Sequence, residues 1–228
     1  MKKLIVTLAA LVVASGAFAQ LNYGVRAGAN LSSISGMVEE ENLDYGDLVT
    51  ASATQGSKLG MNFGIFAEYM LMPMLGVQAE VNFSMQGVNT HVNVSGTLLG
   101  GELKNKNSFM ANYVNVPVLA KFHFANIRLF AGPQLGFLAG DINVKSKTTS
   151  GEETKIEKDD LDDDLYSGVD FSFVVGGQYK FTENIGVDAR YNIGLTNVFP
   201  TQKNDKGVVL SEGYGKQGVL QIGVFYEF

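Results

Sequence analysis

The chain has 228 residues, 17 Lys and Arg against 23 Asp and Glu for a net charge of -6, 46% hydrophobic residues, 27 Gly, and neither Cys nor Trp. Without Cys there is no disulfide framework, thiolate nucleophile, Cys-ligated zinc or acylated N-terminal Cys. An acidic balance argues against a general nucleic-acid binder, which needs a basic face, and the length suits one or two domains, all-β barrels of this size commonly forming one.

At the start, Lys2 and Lys3 precede an apolar run over residues 4–13, and small residues lead to Ala17-Phe18-Ala19. A basic start, a short apolar stretch and an A-x-A site make a secretory signal peptide, with cleavage expected between Ala19 and Gln20. A membrane helix needs about 20 apolar residues, more than this run supplies. The expected organisation is a signal peptide over 1–19 and one domain over 20–228. Loss of Lys2 and Lys3 takes the mature chain to a net charge of -8.

From residue 21 the chain alternates. Leu21, Tyr23, Val25, Ala27, Ala29 and Leu31 share one phase, with Asn22, Arg26, Asn30 and Ser32 between them. Period two of this kind is a strand between an apolar and a polar environment. Residues 34–58 break the pattern with Ser, Gly and acidic residues and read as a long loop. A second strand over 59–70 sets Met61, Phe63, Ile65 and Tyr69 against Asn62, Gly64 and Glu68, and Pro73 marks a short turn. A third over 75–86 sets Val77, Val81 and Phe83 against Gln78, Glu80 and Asn82. Residues 87–111 read as a second long connection, with 88–94 a candidate extension of the hairpin.

The fourth strand, 112–124, carries Val114, Val116, Val118, Phe122 and Phe124 against Asn115, Lys121 and His123. A tight turn at Ala125-Asn126 leads into the fifth, 127–140, with Arg128 and Gln134 on the polar phase. A charged third loop over 141–167 follows. The sixth strand, 168–181, turns at 182–184 into the seventh, 185–196, and a fourth loop over 197–216 precedes the last. That closing strand puts Leu220, Ile222, Val224, Tyr226 and Phe228 on one face.

Strands of about 12 residues suit a tilted membrane strand, and connections alternating long and short are the signature of bacterial outer-membrane barrels, with short periplasmic turns and long external loops. Closure is required because no strand edge can be left unpaired in lipid. The expected fold is all-β, an eight-stranded antiparallel up-and-down transmembrane β-barrel in the outer membrane. Its aromatic terminal strand resembles the signal read by the barrel-assembly machinery, which makes Tyr226 and Phe228 candidate assembly residues.

Ten charged residues fall inside the strands: Arg26, Glu68, Glu80, Lys121, Arg128, Asp170, Lys180, Asp188, Arg190 and Glu227, five basic and five acidic, all on the polar phase. An interior of eight strands is just wide enough for side chains to fill, and inward Gly residues leave room for Arg, Lys and Phe130. The expectation is a plugged, salt-bridged lumen. A channel more often shows a ring of like charge. The excess negative charge lies in the first and third loops, net -4 and -5, so the surface facing outward from the cell is expected to be acidic.

The run Asp159, Asp160, Asp162, Asp163 and Asp164 lacks EF-hand spacing and reads as a solvated stretch rather than a Ca²⁺ or Mg²⁺ site. His123 reads as one more partner of the interior network. His91 with Ser84, Ser95 and Glu102 is the one hint of a Ser-His-acid set, and proximity in sequence is not triad geometry. Neither cofactor nor catalytic activity is expected. Pro117 and Pro133 fall mid-strand, where each removes a ladder hydrogen bond and a local bulge is expected.

With the strands placed, the chain resembles the PorT-like group of outer-membrane β-barrels common in Bacteroidota. The resemblance rests on LNYGVRAGANLS at 21–32, NYVNVPVLAKFHF at 112–124, AGPQLGFLAG at 131–140, ARYNIGLTNV at 189–198 and the terminal YEF. It implies an integral outer-membrane barrel, one branch of the group being tied to protein secretion. The expected function is a structural or surface-interaction role through the acidic loops. A narrow gated pore and a lipid-modifying enzyme are the alternatives, and a soluble lipocalin-like barrel ranks last. Outer-membrane lipid and lipopolysaccharide, the assembly machinery, and an extracellular or secretion-system protein are the expected partners, and nucleic acid is not.

Overall fold

The computed structural model describes residues 21–35, 42–44, 50–96, 101–140, 142–150, 153–161, 168–199, 202–203, 209–211 and 214–228. Ala19, Gln20, the leader before them and Asp162, Asp163 and Asp164 lie outside the described residues. In chain order the strands are β1 (Leu21–Ser35), β2 (Asn42–Asp44), β3 (Thr50–Met72), β4 (Leu75–Gly96), β5 (Gly101–Phe124), β6 (Ile127–Leu138), β7 (Ile142–Ser150), β8 (Glu153–Leu161), β9 (Val169–Lys180), β10 (Ile185–Phe199), β11 (Gln202–Lys203), β12 (Val209–Ser211) and β13 (Tyr214–Glu227).

Eight of them close a ring. β1, β3, β4, β5, β6, β9, β10 and β13 each pair antiparallel with the next, and β13 pairs with β1 from Gly24↔Glu227 to Ser35↔Lys216. Crossing the ring from Leu21 through Tyr69, Val77, Ala120, Ala131, Val175, Tyr191 and Leu220 returns to β1 at Leu31, ten residues further along. With strands ~4.8 Å apart and a rise of ~3.3 Å per residue, that stagger tilts the strands by about 40°, inside the usual range for such barrels.

The two faces separate as the alternation requires. Leu59, Met61, Phe63, Ile65, Leu129, Ile222 and Val224 are among the many apolar side chains exposed on the outside. On a soluble protein so large an apolar surface would drive association; in lipid it is the matching face. Between Ile127 and Phe137 the outward band is about 25 Å tall at this tilt, the thickness of a barrel's apolar belt. Tyr23, Tyr69, Phe122, Phe124, Tyr179, Phe181, Tyr226 and Phe228, all exposed, ring the turn end of the barrel. Such rings sit at the membrane–water interface.

Strand pairing runs further than the periodicity indicates. Most of 87–111 is ladder, β4 and β5 pairing from Leu75↔Phe122 to Gly96↔Gly101. The third loop contains the β7–β8 hairpin, and β3 already begins at Thr50 inside the first. Above the lipid both faces of a strand meet water, so the alternation fades while backbone hydrogen bonds persist. β7 continues the wall begun by β6: β5 pairs with β6 up to Tyr113↔Leu138 and then with β7 from Met110↔Asn143. The offset between the two ladders is taken up around Gly140, whose φ of 89° is left-handed backbone that favours Gly. The prolines produce no bulge. Ladder pairing lapses beside Pro117 and Pro133, but Pro117↔Gln134 and Ala120↔Ala131 keep one register, because the missing N–H costs a bond without adding a residue.

Candidate functional site

The inside of the ring is filled in layers. Midway along the barrel, Arg190 on β10 places Nη1 2.8 Å from Oε2 of Glu80 on β4. β10 and β4 stand opposite each other in the ring of eight, so this ion pair crosses the whole lumen. Arg190 Nε and Arg26 Nη2 both donate to Oδ2 of Asp188 at 2.9 Å, and Arg26 Nη1 reaches Gln221 Oε1 at 3.3 Å. From Glu80 the chain of contacts continues: Gln78 donates to Glu80, Lys121 donates to Gln78, Lys121 Nζ lies 3.1 Å from Glu68 Oε2, and His123 Nε2 contacts Glu68 Oε1. One unbroken polar chain thus links β13, β1, β10, β4, β5 and β3.

A second group sits at the turn end, where Glu227 receives Arg128 at 3.1 Å and Lys180 at 2.6 Å. Nine of the ten interior charges belong to these two groups. Asp170 does not; it lies nearer the loop end and accepts from Thr196 Oγ1 at 2.6 Å. Pairing makes this burial tolerable, since an isolated ion taken out of water costs several kcal/mol. The Arg190 guanidinium also lies over the Phe130 ring, 4.9 Å from its centroid. Gly176 makes room for that ring: a Cβ there would stand 2.5 Å from Phe130 Cζ.

Toward the loop end the filling turns neutral and then apolar. Asn30 donates to Ser84 and Met85, Gln86 donates to Ser84, and Gln134 donates to Ser172. Above them Ile34, Val88, Ala111, Tyr113, Ile142 and Val198 pack together, with Phe109 and Leu138 against them. Val88 and Ile142 are 0% and 1% exposed. This apolar plug closes the mouth. Its residues come from stretches that read as loops or loop edges; the available signal was isolated large apolar residues in otherwise polar connections.

The Ser-His-acid candidates do not form a set. Ser95 and Glu102 are ladder partners, but His91, four residues below Ser95 on the same strand and about 13 Å away at strand rise, pairs across the ladder with Lys106, and Ser84, about 23 Å from His91, points into the lumen. Among the described residues there is no group of three or more His, Asp and Glu placed to hold a metal ion. The candidate assembly residues Tyr226 and Phe228 lie on the outer face, where the Phe228 ring stacks on Tyr23 with centroids 5.4 Å apart and meets Tyr226 edge-on at 5.2 Å.

Outside the ring, β3, β4 and β5 rise past the end of β6 and carry β2, β7 and β8, giving a sheet in the order β2-β3-β4-β5-β7-β8 on the loop side. Residues 101–112 of β5 clear the last β6 pair, a projection of about 30 Å at strand rise and tilt.

Among solved structures the chain is similar to Neisserial surface protein A, with 14% identity, 90% of this chain and 97% of that one covered, and a TM-score of 0.45. It is also similar to Ail, the attachment invasion locus protein of Yersinia pestis, at 15% identity, 92% and 99% coverage and a TM-score of 0.40, and to the outer membrane protease OmpT of Escherichia coli, at 11%, 92% and 97%, and 0.35. No curated protein matches the sequence. Residues 18–200 match the family model described as the outer membrane protein beta-barrel domain. A lipid-facing ring of eight antiparallel strands with a match over most of its length places this chain in the outer membrane protein beta-barrel family, and so in the bacterial outer membrane among its lipids and lipopolysaccharide.

Proposed function

We propose that this chain is a closed, non-conducting barrel of the PorT-like kind, acting through the sheet and acidic loops it raises outside the cell as a surface-interaction protein. The observation that carries the reading is the Arg190–Glu80 ion pair, which joins opposite walls of the lumen beneath a mouth filled by Ile34, Val88, Ala111, Tyr113, Ile142 and Val198. A conducting path through the ring would have to break both. The stretches resembling the PorT-like group lie on β1, β5, β6, β10 and β13, in the wall, and support the kind of barrel. The projecting sheet supports the kind of work, since a rigid wall that carries loops clear of the membrane is suited to contact with other molecules.

Conductance of the refolded barrel in a planar bilayer tests the closed lumen. A silent membrane after insertion is the expected result, insertion being verified by heat-modifiable gel migration of protein recovered from the same vesicles. Persistent single-channel steps from the unmodified chain would overturn the reading in favour of a pore.

A further inference from the structure

The net negative charge of the chain conceals a basic face. On β5 the residues that point into the lumen are the odd-numbered ones, Ala111, Tyr113 and Asn115 being buried, so the even-numbered ones continue the outer, lipid-facing surface upward. Lys104 and Lys106 are on that outer phase and exposed. On β7, Ile142 is inward, and the alternate phase carries Lys145 and Lys147, also exposed. The ladder sets Lys147 directly opposite Lys106 and Lys145 opposite Ser108, with His91 of β4 on the other side of Lys106. Lys158 is the ladder partner of Lys145, and the ladder places Asp160, opposite Asn143, in the row below the lysines and Glu102, opposite Ser95, in the row above them. Lys58 completes the lower edge: its Nζ donates to Ser108 Oγ at 2.5 Å, and its neighbour in sequence, Leu59, is 69% exposed on the apolar belt.

We infer that this face, Lys58, Lys104, Lys106, Lys145 and Lys147, binds the phosphate groups of lipopolysaccharide in the outer leaflet. Its position selects the ligand. The lysines are on the surface that is continuous with the lipid-facing wall, Lys58 where that wall leaves the hydrocarbon and the other four about 15–20 Å above it at strand rise and tilt, and they point sideways toward the phosphorylated core sugars of neighbouring lipopolysaccharide rather than up into the medium. An ammonium row at this height meets anions held in the membrane plane, and each lysine near an anionic surface adds attraction that salt screens. Like charges set directly across a ladder repel one another, so Lys106 facing Lys147 is a local cost that a bridging phosphate removes. The side of the chain that bears the acidic loops is thereby held against a leaflet that is itself anionic.

The test is a binding isotherm, read as fluorescence anisotropy of labelled rough lipopolysaccharide with its inner-core phosphates intact, titrated with the refolded full barrel in detergent. The combined variant Lys104→Gln, Lys106→Gln, Lys145→Gln, Lys147→Gln is expected to weaken binding about tenfold or more, the matching Lys→Arg variant to retain it, and dephosphorylated lipopolysaccharide to bind both barrels equally weakly. Heat-modifiable migration reports folding; if the combined variant does not fold, Lys104→Gln and Lys147→Gln alone are each expected to give a partial loss. Unchanged affinity in the Gln variants, or equal affinity for the dephosphorylated lipid, would overturn the inference. So would displacement of the lipid by inorganic phosphate, which would make the face a general anion site, or by polyglutamate at equal charge, which would assign it to an acidic protein. The lumen plays no part in this measurement, so its outcome is independent of conductance.

Discussion

Arg190 is the residue on which the interior turns, because it is bound at once to Glu80 and Asp188 and stacked over Phe130. Replacing it by Leu leaves the buried Glu80 carboxylate without its cation and Asp188 with Arg26 alone, and removing one partner of a buried pair costs about 3–5 kcal/mol. Arg190→Leu is therefore expected to lower the urea midpoint of the barrel refolded in vesicles by that equivalent. The double change Glu80→Leu, Arg190→Leu is expected to recover much of the loss, since Asp188 keeps Arg26 at 2.9 Å and no buried charge is then left unpaired. A double variant no more stable than Arg190→Leu would show that packing over Phe130, not charge, is what the guanidinium supplies. That Arg190 would face inward was readable from Ala189, Tyr191 and Ile193 around it. Its partner was not, because pairing across a barrel depends on the stagger of ten residues, and no single strand carries that information.

At the scale of elements, the hairpin β7–β8 is separable from the barrel. It pairs only with the part of β5 above Asn112 and with itself, and Ile142 and Leu161 are ladder partners at its base, close enough to be joined. Deleting residues 143–160 is expected to leave heat-modifiable migration intact while removing the Lys145 and Lys147 part of the basic face; a chain that no longer folds would show that the hairpin is part of the barrel's own framework. The strands in the hydrocarbon were legible because lipid outside and ions inside impose strict alternation, as in Phe63 through Glu68. The extensions were not, because residues such as Asn93, Asn105 and Ser146 are polar and only partly buried, and the hydrogen bonds that hold their strands leave no mark on composition. The plug was missed for the same reason: Val88 and Ile142 are single apolar residues in polar surroundings, and only the curvature of the wall brings them together.

Taken whole, the molecule has a fixed orientation. The turns at Pro73-Met74, Ala125-Asn126 and 182–184 share one end with Leu21 and Phe228, and β2, the β7–β8 hairpin and the extended sheet share the other. In intact cells, Thr149→Cys is expected to react with a membrane-impermeant maleimide and Asn126→Cys only after the outer membrane is permeabilised; the reverse labelling would invert the barrel. The height of the wall is unequal around the rim, tall where β4, β5 and β7 rise and low at β9, which begins at Val169 opposite Phe137. A barrel turning freely about the membrane normal therefore behaves as a rotor with one arm. The arm stands off the barrel axis, and anything arriving from the medium meets its tip at one azimuth before it meets the rest of the rim. Neighbours crowded into the same leaflet arrest the rotation, so how densely the membrane is packed decides which bearing the arm presents.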